Sequence, residues 1–270
     1  MKPSRGVLKV FPLAGVPASQ TMFENIGQMV LLLVRTMRAL PLTLRQRKKV
    51  YDQLFEIGNA SLLMACILSL FIGGVIALQT GPLLAERGLA GVIGGMVGIS
   101  VCKELAPVMM SILIAGRIGS AMAAEIGSMR VYQEIDALVT MNINPLHYLV
   151  LPRLVAISVA LPVLVVFAIL VAWFGGGMVA VTNERIGLSF QSFFTNLRNV
   201  VDLGDVLNGL FKSFVFAVVI GTVSCHHGLS TIGGPRGIGR SVTKAVVNSI
   251  VLILILDYFL TRFLLYFDIR

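Results

Sequence analysis

Five stretches of this chain, residues 57–80, 89–115, 154–181, 207–225 and 242–267, are apolar over lengths that no ordinary soluble core accommodates. A helix needs about 20 apolar residues to cross about 30 Å of hydrocarbon. With no water there to bond backbone groups, a helix is the simplest way for one segment to satisfy its own. The composition agrees: 56% of the 270 residues are hydrophobic, 13% are charged and the mean hydropathy is +0.89, whereas soluble domains carry about 25% charged residues. The expected fold class is an all-α integral membrane protein with five transmembrane helices. It divides into an N-terminal segment, 1–55, and a transmembrane domain, 56–270. A four-span chain with one re-entrant segment is the alternative arrangement.

The net charge of +9 does not point to nucleic acid. The basic residues flank apolar runs instead of interleaving with aromatics on a polar domain, which is the juxtamembrane pattern. Nine precede the first span (Lys2, Arg5, Lys9, Arg35, Arg38, Arg45, Arg47, Lys48, Lys49). Arg117, Arg130 and Arg153 follow the second, and Arg236, Arg240 and Lys244 follow the fourth. That places 15 of 22 basic residues on one side, read as cytoplasmic, with the N-terminus inside. The first 20 residues lack the apolar core of a cleavable signal. Residues 26–40 are too short to span and carry Arg35 and Arg38; Ile26, Met29, Val30, Leu33, Val34 and Met37 have helical spacing, so the segment reads as an interfacial amphipathic helix, anchored by the basic run 45–49.

Lys103 and Glu104 are the only charges between Arg87 and Arg117. A charge near the bilayer centre costs about 2.5–3.5 kcal/mol on insertion scales. Adjacent helical residues point about 100° apart, so each of the two needs its own partner, a water-filled cavity or a ligand head group. The same span carries Gly91, Gly94, Gly95 and Gly98, spaced for close helix contact. Pro107 removes the bond to the Lys103 carbonyl and favours a kink. Asp257 is a further acid within an apolar run; Lys103, Arg262 or neither is its expected partner, and an ion pair is as good a reading as a substrate contact.

Residues 131–141 form a short amphipathic helix, with Ile135, Leu138 and Val139 on one face and Gln133, Glu134 and Asp136 polar. The run 142–145 ends it at Pro145. It reads either as a docking element for another protein or as a solvated loop helix. The run Gly234–Ser241 superficially matches a phosphate-binding loop, but it lacks the surrounding α/β domain. As a cytoplasmic loop, with Arg240 and Lys244 near the leaflet, it meets lipid phosphates instead. Cys66, Cys102 and Cys225 are apolar filler, and His147, His226 and His227 have no metal-ligand spacing. No catalytic constellation, metal site or cofactor is expected.

The runs 103–107 (KELAP), 115–120 (AGRIGS), 124–130 (AEIGSMR), 134–138 (EIDAL), Asn144-Pro145 and 151–153 (LPR) together resemble the MlaE (YrbE) family, permease subunits of ABC systems that move phospholipid between bacterial membranes. Weaker matches, 71–75 with Leu78-Gln79 and 256–259, extend the likeness over about 55–267. The resemblance implies a homodimer in the bacterial inner membrane and no enzymatic activity of the chain itself, ATP being bound by a separate cytoplasmic ABC ATPase. It also implies a periplasmic MCE-domain lipid-binding protein and a small cytoplasmic STAS-type subunit. Residues 131–143 would be the coupling helix, with Arg130, Glu134, Ile135, Asp136 and Leu138 at the ATPase contact. Lys103 and Glu104 match the basic-acidic pair at the base of the family's lipid cavity. On this reading Ile76, Leu83 and Leu84 line the acyl-chain walls, and Arg240 and Asp257 join Lys103 and Glu104 as substrate-binding residues. The rival is a stand-alone secondary transporter or channel using Lys103, Glu104 and Asp257; such proteins often show repeated halves, which this chain lacks.

Overall fold

A computed structural model describes residues 22–39 and 47–267. The expectations for the first 20 residues, and for Arg45 in the basic run, lie outside the described residues. Among the described residues there are eight helical elements and no strand: α1 (Met22–Arg38), α2 (Arg47–Glu86), α3 (Ala90–Val131), α4 (Glu134–Thr140), α5 (Leu146–Thr182), α6 (Phe190–Val200), α7 (Leu203–Leu229) and α8 (Gly234–Phe267). Five of them (α2, α3, α5, α7 and α8) are long and apolar enough to cross a membrane, the number expected from the sequence. They outrun the predicted spans. At 1.5 Å per residue the 40 residues of α2 reach about 60 Å. Apolarity marks only the hydrocarbon layer, whereas backbone hydrogen bonding has no reason to stop at its edge.

The chain forms two compact units. The first comprises residues up to 54 together with 115–157 and 218–250, and the second comprises 55–114, 158–217 and the residues from 251 on. Among described residues, Lys and Arg outnumber Asp and Glu by eleven to five in the first unit; in the second they are six against seven.

In the first unit, α1 buries Met29, Leu32, Thr36 and Ala39 and leaves Val30, Val34 and Met37 exposed beside Arg35 and Arg38. Among the described residues of the predicted apolar face only Met29 is buried and Leu33 half-buried; the covered stripe also runs through Leu32 and Thr36, which the prediction does not include, and the exposed apolar stripe is what an interfacial helix requires. Arg153 Nη2 donates to Glu125 Oε2 at 2.7 Å, Asn248 and His227 are hydrogen-bonded at 2.9 Å, and Lys49 Nζ stands 3.1 Å above the Tyr148 ring.

In the second unit, α2 and α5 touch backbone to backbone. A Cβ on Gly73 would run into the Ala172 carbonyl, and one on Gly175 into the Leu70 carbonyl. The glycines of α3 serve a neighbour the sequence reading did not include. That neighbour is α6, whose Phe190, Phe193, Phe194 and Leu197 have amphipathic spacing. Its cap Ser189 accepts from the Ser192 N–H at 3.2 Å. Gly94 faces the Phe193 carbonyl, Gly95 N–H donates to Asn196 Oδ1 at 2.6 Å, and Gly98 meets Leu197 and Val201. A Cβ on Gly91 would meet nothing within 4 Å, so no close approach depends on that glycine. Asn196→Ala removes an acceptor from a part-buried N–H, a loss of about 1–3 kcal/mol. Faster hydrogen exchange is expected across 190–200, while α7 keeps its protection.

Candidate functional site

Two carboxylates of the second unit, Glu104 and Asp257, converge on one residue, Lys212 of α7, whose side chain is 2% exposed. Its ammonium lies 2.8 Å from Glu104 Oε1, 3.1 Å from Asp257 Oδ1, 2.7 Å from Thr261 Oγ1 and 2.9 Å from the Lys103 carbonyl. A lysine has three donors, so four acceptors share them. Thr261 Oγ1 also lies 2.9 Å from Glu104 Oε1 and 2.8 Å from the Asp257 carbonyl, which ties the acids of α3 and α8 together.

Local structure explains why these groups meet. Residues Val101–Leu105 form a π-turn, in which the Ala106 N–H reaches the Val101 carbonyl five residues back. A second π-turn follows at Ala115–Gly119. Pro107 has no N–H, so the Lys103 carbonyl loses its usual helical donor; Lys212 supplies one. The expected disruption at Pro107 thus takes the form of a widened turn whose spare carbonyl is satisfied by a neighbouring helix. Gly209, one turn before Lys212, makes this possible: a Cβ there would collide with the Cys102 carbonyl. The small residue lets α7 close on α3, and the next residue on that face delivers the ammonium.

Lys103 itself points elsewhere. Its Nζ pairs with Asp205 Oδ1 at 2.9 Å, side chains 29% and 11% exposed. The other Asp205 oxygen accepts the Asp202 N–H at 3.1 Å at the start of α7, where a helix favours an acid. Each of the adjacent charges has therefore found its own partner, as their angular separation demands. Together the five groups count two cations against three carboxylates, a formal charge of −1.

Of the alternatives open for Asp257, the structure takes the one in which neither Lys103 nor Arg262 is its ion-pair partner: that partner is Lys212. Lys212 and Asp205 were missed. The signal for Lys212 was present, because it is the only Lys, Arg, Asp or Glu in 206–225 and carries the same insertion cost as Lys103. Ile76 and Leu84 are half-buried and Leu83 is exposed, all on α2 in this unit. Arg240 belongs to the first unit, and it lies in α8, not in a loop, because the helix already begins at Gly234.

The predicted docking helix is α4, also in the first unit. It begins at Glu134, three residues later than expected, since Val131 still belongs to α3. Gln133 at φ 60° and Asn142 at φ 60° bracket it, and both adopt the left-handed conformation that reverses a helical chain sharply. Ile135 is buried and Glu134 exposed. Arg130 Nη1 holds Asp136 Oδ1 at 2.8 Å and staples α4 to the end of α3. Leu138 is half-buried beside them.

The MlaE permease family profile matches residues 50–263. A probable ABC transporter permease of Synechocystis sp. is 38% identical over 215 residues, covering 80% of this chain and 81% of that protein. One from Rickettsia typhi is 36% identical over 215 residues, covering 80% and 82%. The chloroplast protein TRIGALACTOSYLDIACYLGLYCEROL 1 of Arabidopsis thaliana is 33% identical over 216 residues, covering 80% of this chain and 61% of its own length. With these relatives the chain is an ABC permease, a transport subunit, in place of a stand-alone secondary transporter or channel. Five helices able to span a membrane, three of them (α3, α7 and α8) joined through the ionic knot at Lys212, are thus the framework of a multi-pass protein that belongs to the MlaE permease family.

Proposed function

We propose that this permease moves phospholipids between the inner and outer membranes of a bacterium, working as a homodimer with a cytoplasmic ABC ATPase and a periplasmic MCE-domain protein, and with a small STAS-type subunit on the cytoplasmic side. The observation that carries the reading is the ionic knot around Lys212, a set of charges kept at the heart of apolar helices where a head group can exchange for a side-chain partner. The name of the Arabidopsis relative contains that of a galactolipid, which supports a lipid cargo. The basic excess of the first unit supports an N-terminus on the cytoplasmic side of the inner membrane.

In this reading a phosphate competes with Asp205 for Lys103, while Glu104 holds the Lys212 side chain in place. Ile76, Leu83 and Leu84 flank the acyl chains, and Asp257 fixes α8 to the knot. ATP binding in the partner acts through Glu134, Ile135 and Leu138 of α4, with Arg130 and Asp136 keeping that helix rigid. The phospholipid flow supports outer-membrane lipid asymmetry. The test is transport of labelled phospholipid by the reconstituted complex carrying Lys103→Ala or Glu104→Ala. Transport is expected to fall at least tenfold while the ATPase still co-purifies. Wild-type transport in both variants, or a preparation holding no phospholipid by mass spectrometry, overturns the proposal.

A further inference from the structure

Arg236, Arg240 and Lys244 recur every fourth residue in the first turns of α8, so they share one helix face. All three are exposed, and none has an ion-pair partner among the described residues. Two acids of the same unit, Glu125 and Asp136, are already held by Arg153 and Arg130. The first turn of α8 contains no acid, so Arg236 stands at the positive end of the helix dipole, where an anion is favoured and a cation is not. Such an arrangement is short of negative charge from outside the protein.

The neighbourhood decides what kind of anion. One turn beyond Lys244 the exposed residues are Val247 and the uncharged Asn248, and the helix carries no further charge until Asp257. The cations thus stop where the apolar run begins, and the eight helical steps from Arg236 to Lys244 rise about 12 Å, enough to address a headgroup layer by snorkelling. An acidic protein partner would not need the cations to abut an apolar helix face. We infer that this ladder binds the phosphates of anionic phospholipids resident in the leaflet where α8 begins. The inference is of resident lipids and not of cargo, whose proposed head-group site is Lys103 with Glu104 and Lys212; Arg240, which the family resemblance implied to be substrate-binding, is assigned to the ladder instead. The inference stands whether or not phospholipid is what the permease carries.

The full-length chain in phosphatidylcholine nanodiscs, doped with spin-labelled phosphatidylglycerol or spin-labelled phosphatidylcholine, provides the test. The measured quantity is the motionally restricted fraction of each label. A cation near an anionic surface contributes a factor of about five, so a clear preference for phosphatidylglycerol is expected and 0.5 M NaCl should weaken it. Arg236→Gln/Arg240→Gln/Lys244→Gln should remove most of it. Arg236→Lys/Arg240→Lys should keep it, and so should Arg185→Gln/Arg198→Gln, which alters exposed cations of the other unit. An unchanged preference in a monodisperse triple-Gln variant overturns the inference. So does efficient crosslinking of Lys244→Cys to a second copy or to another protein, which would show the face covered by protein. Should the triple variant fail to fold, a salt-insensitive preference in the unaltered chain is equally fatal.

Discussion

Lys212→Met is expected to be among the most damaging single substitutions in this protein. It leaves Glu104 and Asp257 without their shared cation, together with an unserved Lys103 carbonyl. Removing one partner of a buried ion pair costs about 3–5 kcal/mol. Glu104 is the more open of the two acids, at 39% exposed, which favours the lower end. Thermal unfolding of the purified protein should show a clearly lowered midpoint, and transport should be lost. A companion variant separates scaffold from function. Lys212→Met/Glu104→Gln/Asp257→Asn removes every charge from the knot and should recover most of the stability, because an uncharged set no longer contains an unpaired ion. Its transport should stay absent. Recovery of transport along with stability would show the knot to be only a brace, and the proposed head-group exchange would fall.

Gly73→Val carries the second large effect, and its cause is steric. The new side chain would enter the Ala172 carbonyl, which is backbone and cannot rotate away. Overpacking costs about 1–3 kcal/mol and sometimes more; contact with a rigid helix backbone puts this case at the upper end. Gly175→Val, which meets the Leu70 carbonyl from the other side of the same crossing, should behave alike. Gly91→Ala is the control, because a Cβ there would meet nothing within 4 Å. Folded yield from membranes and unfolding midpoint are the measurements. Equal yields for Gly73→Val and Gly91→Ala would show that α2 and α5 do not pack as described.

These two predictions mark where the sequence was legible and where it was not. Lys103 and Glu104 announced themselves because an isolated charge in an apolar run has a cost that one residue's surroundings reveal. Lys212 carried the same signal, but its role depends on which helix lies opposite, and that follows from Gly209 allowing α7 to approach a carbonyl of α3. Asp257 could be assigned no partner from spacing, since its partner is 45 residues away on another helix. The α6 helix showed amphipathic spacing and a capping serine, yet a short polar stretch between spans invites a loop reading. The run at Gly234–Ser241 was misplaced for a related reason: its glycines and proline read as a turn, but Pro at the first helical position and flanking glycines are equally a helix start.

The sequence by itself determined five helices able to span a membrane, the basic excess that distinguishes one part of the chain, the short helix α4 and the presence of costly charges at mid-span. All of these follow from local composition, because transfer into hydrocarbon is decided residue by residue. Only the tertiary structure decided that Lys103 answers to Asp205, that Glu104 and Asp257 share Lys212, and that the glycines of α3 receive α6. Those pairings depend on helix rotation and close backbone approach, a difference of one turn or one Cβ, and no composition or period in a single chain records which face meets which.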